Sequence, residues 1–162
     1  MKRTVPEHAM FSLYLYLVVK FVHVLSAIVA VGANATYGVW FARAAQHPQF
    51  APFALRGIKF IDDRIANPAY GLLLLTGLGM AGIGGYFSLH WIQAALGLYV
   101  LMVLVAVIFY SPTLKRQIEA VDREGFGSPE ASRLASRGTR IGAVIWIFVV
   151  AILILMIFKP IF

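Results

Sequence analysis

The stretch Lys20-Phe21-Val22-His23-Val24-Leu25-Ser26-Ala27-Ile28-Val29-Ala30-Val31-Gly32 decides how this chain is read. It lies inside an apolar run from Ala9 to Ala42 whose only charged residue is Lys20 and whose only histidine is His23. Ionisable groups in hydrocarbon cost several kcal/mol on common scales, and they usually face a bundle interior, a cavity or a cofactor. At i and i+3 on a helix, Lys20 and His23 share one face. Ala27 and Ala30 extend that face. Small side chains there let another helix, or a flat ligand, come close.

The rest of the composition fits that opening. Of 162 residues, 60% are hydrophobic and the mean hydropathy is +0.81, well above the 45–50% apolar content usual for soluble domains. The chain reads as one membrane domain, residues 1–162. With no cysteine, disulfides, thiolate metal sites and cysteine nucleophiles are excluded. The net charge of +7 is explained by loop lysines and arginines meeting anionic headgroups, not by nucleic acid. Lys2-Arg3, an apolar run and Ala33-Asn34-Ala35 imitate a secretory signal. The run is far longer than the 7–15 residues of a signal core, so it is expected to stay as an uncleaved span.

A membrane helix needs about 20 mostly apolar residues. Four segments qualify, approximately 17–41, 65–87, 91–110 and 141–158. The expected fold is all-α: a four-helix up-and-down transmembrane bundle. An interfacial amphipathic segment carrying Phe50, Phe53 and Phe60 follows the first helix, and the third loop is a short helix. Ser111-Pro112 predicts the end of the third span. Asp62 or Asp63 is expected to cap the second span, Ser88 the third and Ser128 the fourth. Glu119 and Arg123 are expected to pair at i, i+4. The six glycines between Gly71 and Gly85 predict close helix packing, and the run from Gly82 to Gly85, before a short connection, predicts the end of the second helix.

Orientation follows from the loop cations. The first loop (Arg43, Arg56, Lys59, Arg64) and the third (Lys115, Arg116, Arg123, Arg133, Arg137, Arg140) hold ten, against three for Lys2, Arg3 and Lys159. The expectation is a bacterial inner membrane protein with both termini outside and the first and third loops cytoplasmic. Arg133, Arg137 and Arg140 form a stripe at i, i+4, i+7 that suits lipid phosphates, or pairing with Asp62, Asp63 or an anionic ligand.

The seven acids all fall outside the four segments, which counts against a proton-coupled transporter. The histidines remain. His8 and His47 read as solvated. His23 and His90 lie toward the same membrane face, because the first and third helices run in the same direction. With Lys20, they suggest a haem b or related porphyrin site near the non-cytoplasmic face. Imidazole supplies an axial ligand, and a cation meets a propionate. At 1.5 Å per residue, His23 lies roughly 8 Å from mid-membrane and His90 roughly 15 Å, so ligation by both needs a tilted haem or a shifted helix. Asn34 and Thr36 are expected to bond between helices, with Thr76 and Gln93 as partners.

The pattern Lys20-x-x-His23-Val24-Leu25-Ser26-Ala27-Ile28 with Gly32, then Asn67-Pro68, Thr76-Gly77 and Trp91, resembles the DUF2269 bacterial integral membrane proteins, over about Leu15 to Phe158. That resemblance implies a four-span protein of unassigned function. More distantly the chain is similar to the copper-resistance CopD domain and the HemJ-type protoporphyrinogen oxidases. That likeness implies that His23 matches their first-span histidine. HemJ-type proteins follow that histidine with a tryptophan and an arginine closer in than Trp40 and Arg43 lie here. Three functions therefore stand side by side. The first is a haem or porphyrin protein with a redox or tetrapyrrole-handling role, open to being an oxidoreductase and to a membrane redox partner. The second is a non-enzymatic scaffold for a lipid, a copper ion held at His23 and His90, or a partner subunit. The third is a small homo-oligomeric transporter.

Overall fold

In a computed structural model that describes residues 7–160, every regular element is helical. Lys2 and Arg3, with the side chains of Glu7 and His8, lie outside the described residues. Helix α1 runs over Glu7–Gln46, α2 over Ala51–Ile61, α3 over Asn67–Gly84, α4 over His90–Val105, α5 over Ser111–Glu124 and α6 over Pro129–Phe158. Short π-helical segments, Asp62–Ala66 and Ala106–Tyr110, join α2 to α3 and α4 to α5 without a break. The result is four rods. Each is long and apolar enough to cross a membrane, as the four-span reading requires.

The two π segments correct the expected boundaries. The helix of the third span does not stop at Ser111-Pro112 but runs on into α5, and the segment after the first helix is continuous with the helix of the second span. A proline inside an α-helix lacks one donor and its ring crowds the carbonyl four residues back. Here the residue before each proline reaches back five instead: Ser111 N–H bonds the Ala106 carbonyl and Asn67 N–H bonds that of Asp62. One widened turn before Pro68 and before Pro112 makes room for each ring, so the helix passes the proline without stopping.

The helices overshoot the bilayer. Forty residues of α1 span about 60 Å, twice a hydrocarbon core of about 30 Å. The overshoot is packed as a small helical cap. The apolar stripe of α2 (Ala51, Ala54, Leu55, Ile58) meets that of α5 (Leu114, Ala120, Val121), the end of α1 and the start of α6 (Ala131, Leu134). Leu55 and Ile58 are the largest fully enclosed side chains among the described residues. An exposed Arg56–Asp122 pair at 2.8 Å ties α2 to α5, worth at most about 1 kcal/mol. Along the spans the packing is thinner: α1 lies on α3 and α4 on α6. Tyr99, Met102 and Val149 form the buried cluster there, against Tyr70 and Leu73. Phe21, Leu75, Ile147 and Ile157 are each about 70% exposed. Lipid tails are as apolar as these side chains, so nothing drives the spans to bury them.

Most expected punctuation is present. Gly85 ends α3 in the left-handed conformation, φ 67°. Ser128 accepts the Ala131 N–H at 3.2 Å, with Pro129 opening α6. Three expectations are corrected. Ser88 does not cap α4, because a 3₁₀ turn over Tyr86–Ser88 delays its start and Leu89 takes the cap position. Neither Asp62 nor Asp63 caps a helix, since both are inside a helical turn. Arg123 turns to the adjacent Glu124 at 2.7 Å, not to Glu119. Of the glycines in α3, Gly77 and Gly79 meet α1, while Gly71 has open space.

Leu55→Ala leaves a cavity around one of the two largest fully enclosed side chains among the described residues, and a loss of about 2–5 kcal/mol is expected. Leu75→Ala on an exposed face should change stability by well under 1 kcal/mol. Thermal unfolding of the two variants in one detergent checks the contrast.

Candidate functional site along the α1–α3 seam

One face of α1 carries His23, Ser26, Ala30, Asn34 and Tyr37, spaced three or four residues apart so that they stack over one another. Ser26, Ala30 and Tyr37 are buried and the others half-buried. Three side chains on this face bond directly to the second rod. His23 Nδ1 is 3.1 Å from the Leu73 carbonyl and 3.1 Å from Thr76 Oγ1. Asn34 Nδ2 donates to the Tyr70 hydroxyl at 2.6 Å. The Tyr37 hydroxyl donates to Asp62 Oδ1 at 3.2 Å. Tyr99 of α4 joins the seam by donating to the Tyr70 carbonyl at 2.7 Å, its ring edge-on to that of Tyr70.

The bonding around His23 assigns its tautomer. A carbonyl only accepts. The Thr76 hydrogen is committed to the Leu72 carbonyl at 2.7 Å, so its oxygen also faces the ring as an acceptor. The ring hydrogen therefore belongs on Nδ1, and in the neutral imidazole Nε2 keeps its lone pair. Gly77 makes this approach possible. A Cβ there would stand 3.0 Å from His23 Cε1, tight enough that the ring would have to move back by a few tenths of an ångström.

The other sequence-derived residues are placed unevenly. Ala30 is fully buried and Ala27 half-buried on the same face. Lys20, three residues before His23, is exposed and in no ion pair among the described residues. His90 is exposed at the start of α4. It is not level with His23. His23 lies against Thr76 and Gly77, and α3 continues to Gly84 before the turn to His90, roughly 10 Å further along the axis. Among the described residues no three His, Cys, Asp or Glu side chains come together as a metal site. Asn34 finds Tyr70, where Thr76 and Gln93 were expected; Gln93 donates to the Phe87 carbonyl at 3.0 Å.

At the capped end, Arg133, Ser136, Arg137, Arg140 and Ile141 line a shallow cleft of about 360 Å³. Arg133 is held by Glu130 at 2.9 Å, while Arg137 and Arg140 make no ion pair among the described residues. The stripe does not pair with the aspartates: Asp63 bonds Lys59 and Asp62 bonds Tyr37. His47 lies at a second cleft, about 340 Å³, with Trp40, Arg43, Phe50 and Phe53.

One residue was missed. Asp62 is only 7% exposed, and it is the sole buried acid among the described residues. It is part of one continuous helical rod with the second span, at the point where the cap meets that span. The signal was in the spacing. Ala51, Leu55, Ile58 and Asp62 fall at i, i+4, i+7 and i+11, which puts the carboxyl on the buried stripe of α2.

Residues 17–160 match the family profile described as predicted integral membrane protein (DUF2269). The chain belongs to the DUF2269 family. No curated protein and no solved structure matches it. In this DUF2269 protein the whole seam, from His23 to Thr76, lies inside the matched region.

A double-mutant cycle with His23→Ala and Thr76→Val should show a coupling of about 0.6–1.7 kcal/mol, the range found for side-chain hydrogen bonds in membranes. Gly77→Val should destabilise more than Gly71→Val, because only the first strikes the imidazole. Unfolding in mixed micelles measures both.

Proposed function

We propose that this DUF2269 protein binds haem b or a related porphyrin through Nε2 of His23 and serves a redox or tetrapyrrole-handling role in the bilayer. The observation that carries the reading is the hold on Nδ1. A ligating histidine is normally oriented by a carbonyl or hydroxyl on its other nitrogen, which fixes the tautomer and raises the basicity of the free one. Leu73 and Thr76 supply that hold. The donor set suits a group taking one protein ligand, since His90 is at another level. Lys20, charged and without an ion pair among the described residues, would meet an acidic substituent. Bound there, haem iron supplies one-electron chemistry. The chain's own part is to present one nitrogen lone pair in hydrocarbon and to keep water from it.

The loop cations support a reading in which the capped end faces the cytoplasm of a bacterial inner membrane and Arg137 and Arg140 meet lipid phosphate. A second reading has its own support. The same bonds clasp α1 to α3, and a clasp alone suits a non-enzymatic scaffold for a lipid, a copper ion or a partner subunit.

The absorption spectrum of protein purified from its native membrane separates the two. Haem ligation predicts a Soret band that is lost in His23→Gln, a variant able to keep a donor on the Leu73 carbonyl. Colourless wild-type protein, or a band that survives His23→Gln, overturns the haem reading in favour of the clasp.

A further inference from the structure

The seam ends in a buried carboxyl that the haem reading does not use. Asp62 occupies the first position of the π segment between α2 and α3, where the cap meets the spans. Its neighbours come from every rod packed on it except α6. Tyr37 of α1 donates to Oδ1 at 3.2 Å. The charges of Lys59 and Asp63 and the polar side chain of Asn67 act on it electrostatically. Tyr110, from the second π segment, packs against the cluster that holds Tyr37, and its hydroxyl and that of Tyr70 interact electrostatically with Asp62.

Three features of this arrangement point one way. First, no lysine or arginine forms an ion pair with Asp62 among the described residues; Lys59 bonds Asp63 instead. A carboxylate taken out of water without a counter-ion is costly, and an asparagine would fill the place at less cost. Second, the groups bonded to the carboxyl are hydrogen-bond donors. Donors occupy the lone pairs that a metal cation would need, and no metal-binding trio surrounds Asp62 among the described residues. Third, π turns are concentrated at functional positions. Here one carries Asp62, and the other ends on Tyr110, which packs on the cluster that holds Tyr37, the carboxyl's hydrogen-bond donor.

We propose that Asp62 is a proton-exchange site at the junction of cap and bilayer. The ligand is a proton. It adds to Oδ2 as the hydroxyl of Tyr37 keeps donating to Oδ1, and it leaves from Oδ2 to water at the capped end. Ionisable groups inside membrane bundles commonly serve as such relays. The seam above Asp62 (Tyr37, Asn34, Tyr70) gives the site polar neighbours that reach into the span.

Infrared difference spectra between about pH 5 and about pH 9 test this on the full chain in phospholipid vesicles. The expected result is a carboxyl C=O band that appears as the pH falls, disappears in Asp62→Asn, shifts in Tyr37→Phe and is untouched by Glu130→Gln. Two results overturn the proposal: the same band in folded Asp62→Asn, or no band in the wild type. Should Asp62→Asn fail to fold, the band in Tyr37→Phe decides. A shift supports the site, and an unmoved band overturns it.

Discussion

Two apolar helices in lipid gain nothing from touching each other in preference to acyl chains. The pairing of α1 with α3 therefore leans on bonds that hydrocarbon cannot replace. His23 to Leu73 and Thr76, Asn34 to Tyr70, and Tyr37 to Asp62 are those bonds. Each is worth only about 0.6 kcal/mol on average, yet each fixes rotation and register, because a helix turned by one residue would swing all of them out of reach. Small residues complete the fit. Ala30 and Gly77 hold the backbones close enough for the side chains to meet.

The chain answers to two solvents. In the cap, water drives burial, and Leu55 and Ile58 are enclosed as in any soluble core. In the spans, burial brings no such gain and large side chains face outward. The two prolines fall between these regimes. Pro68 and Pro112 each follow a widened turn that lets one rod serve both environments. Asp62 and Tyr110 belong to those turns, so the transition between solvents is also where polar groups gather.

Much of this was legible in the residues themselves. Four apolar runs, Gly85 and Ser128 all act locally, and local signals survive into the fold. The importance of His23 was legible because a lone imidazole in an apolar run has few innocent explanations. Its partner was not, because which face of α3 meets α1 depends on side chains more than fifty positions away. The π turns were hidden for a different reason. A proline reads as a stop, and only the five-residue reach of Ser111 and Asn67 shows that the helix goes on. Asp62 looked like a cap because it precedes Asn67-Pro68; its place on the stripe with Leu55 and Ile58 mattered more. Helix direction puts His90 on the same membrane face as His23, and counting residues along the helices already sets the two at different depths, which the turn after Gly84 keeps apart.

The α1–α3 seam depends on the orientation of one ring, that of His23. Nitrogen NMR of the protein labelled at histidine, in lipid, reads it directly. A neutral His23 with its hydrogen on Nδ1 and a lone pair on Nε2 is the predicted result. A hydrogen on Nε2 of the neutral ring would mean that the Leu73 carbonyl does not hold the imidazole, and the seam as described would be wrong.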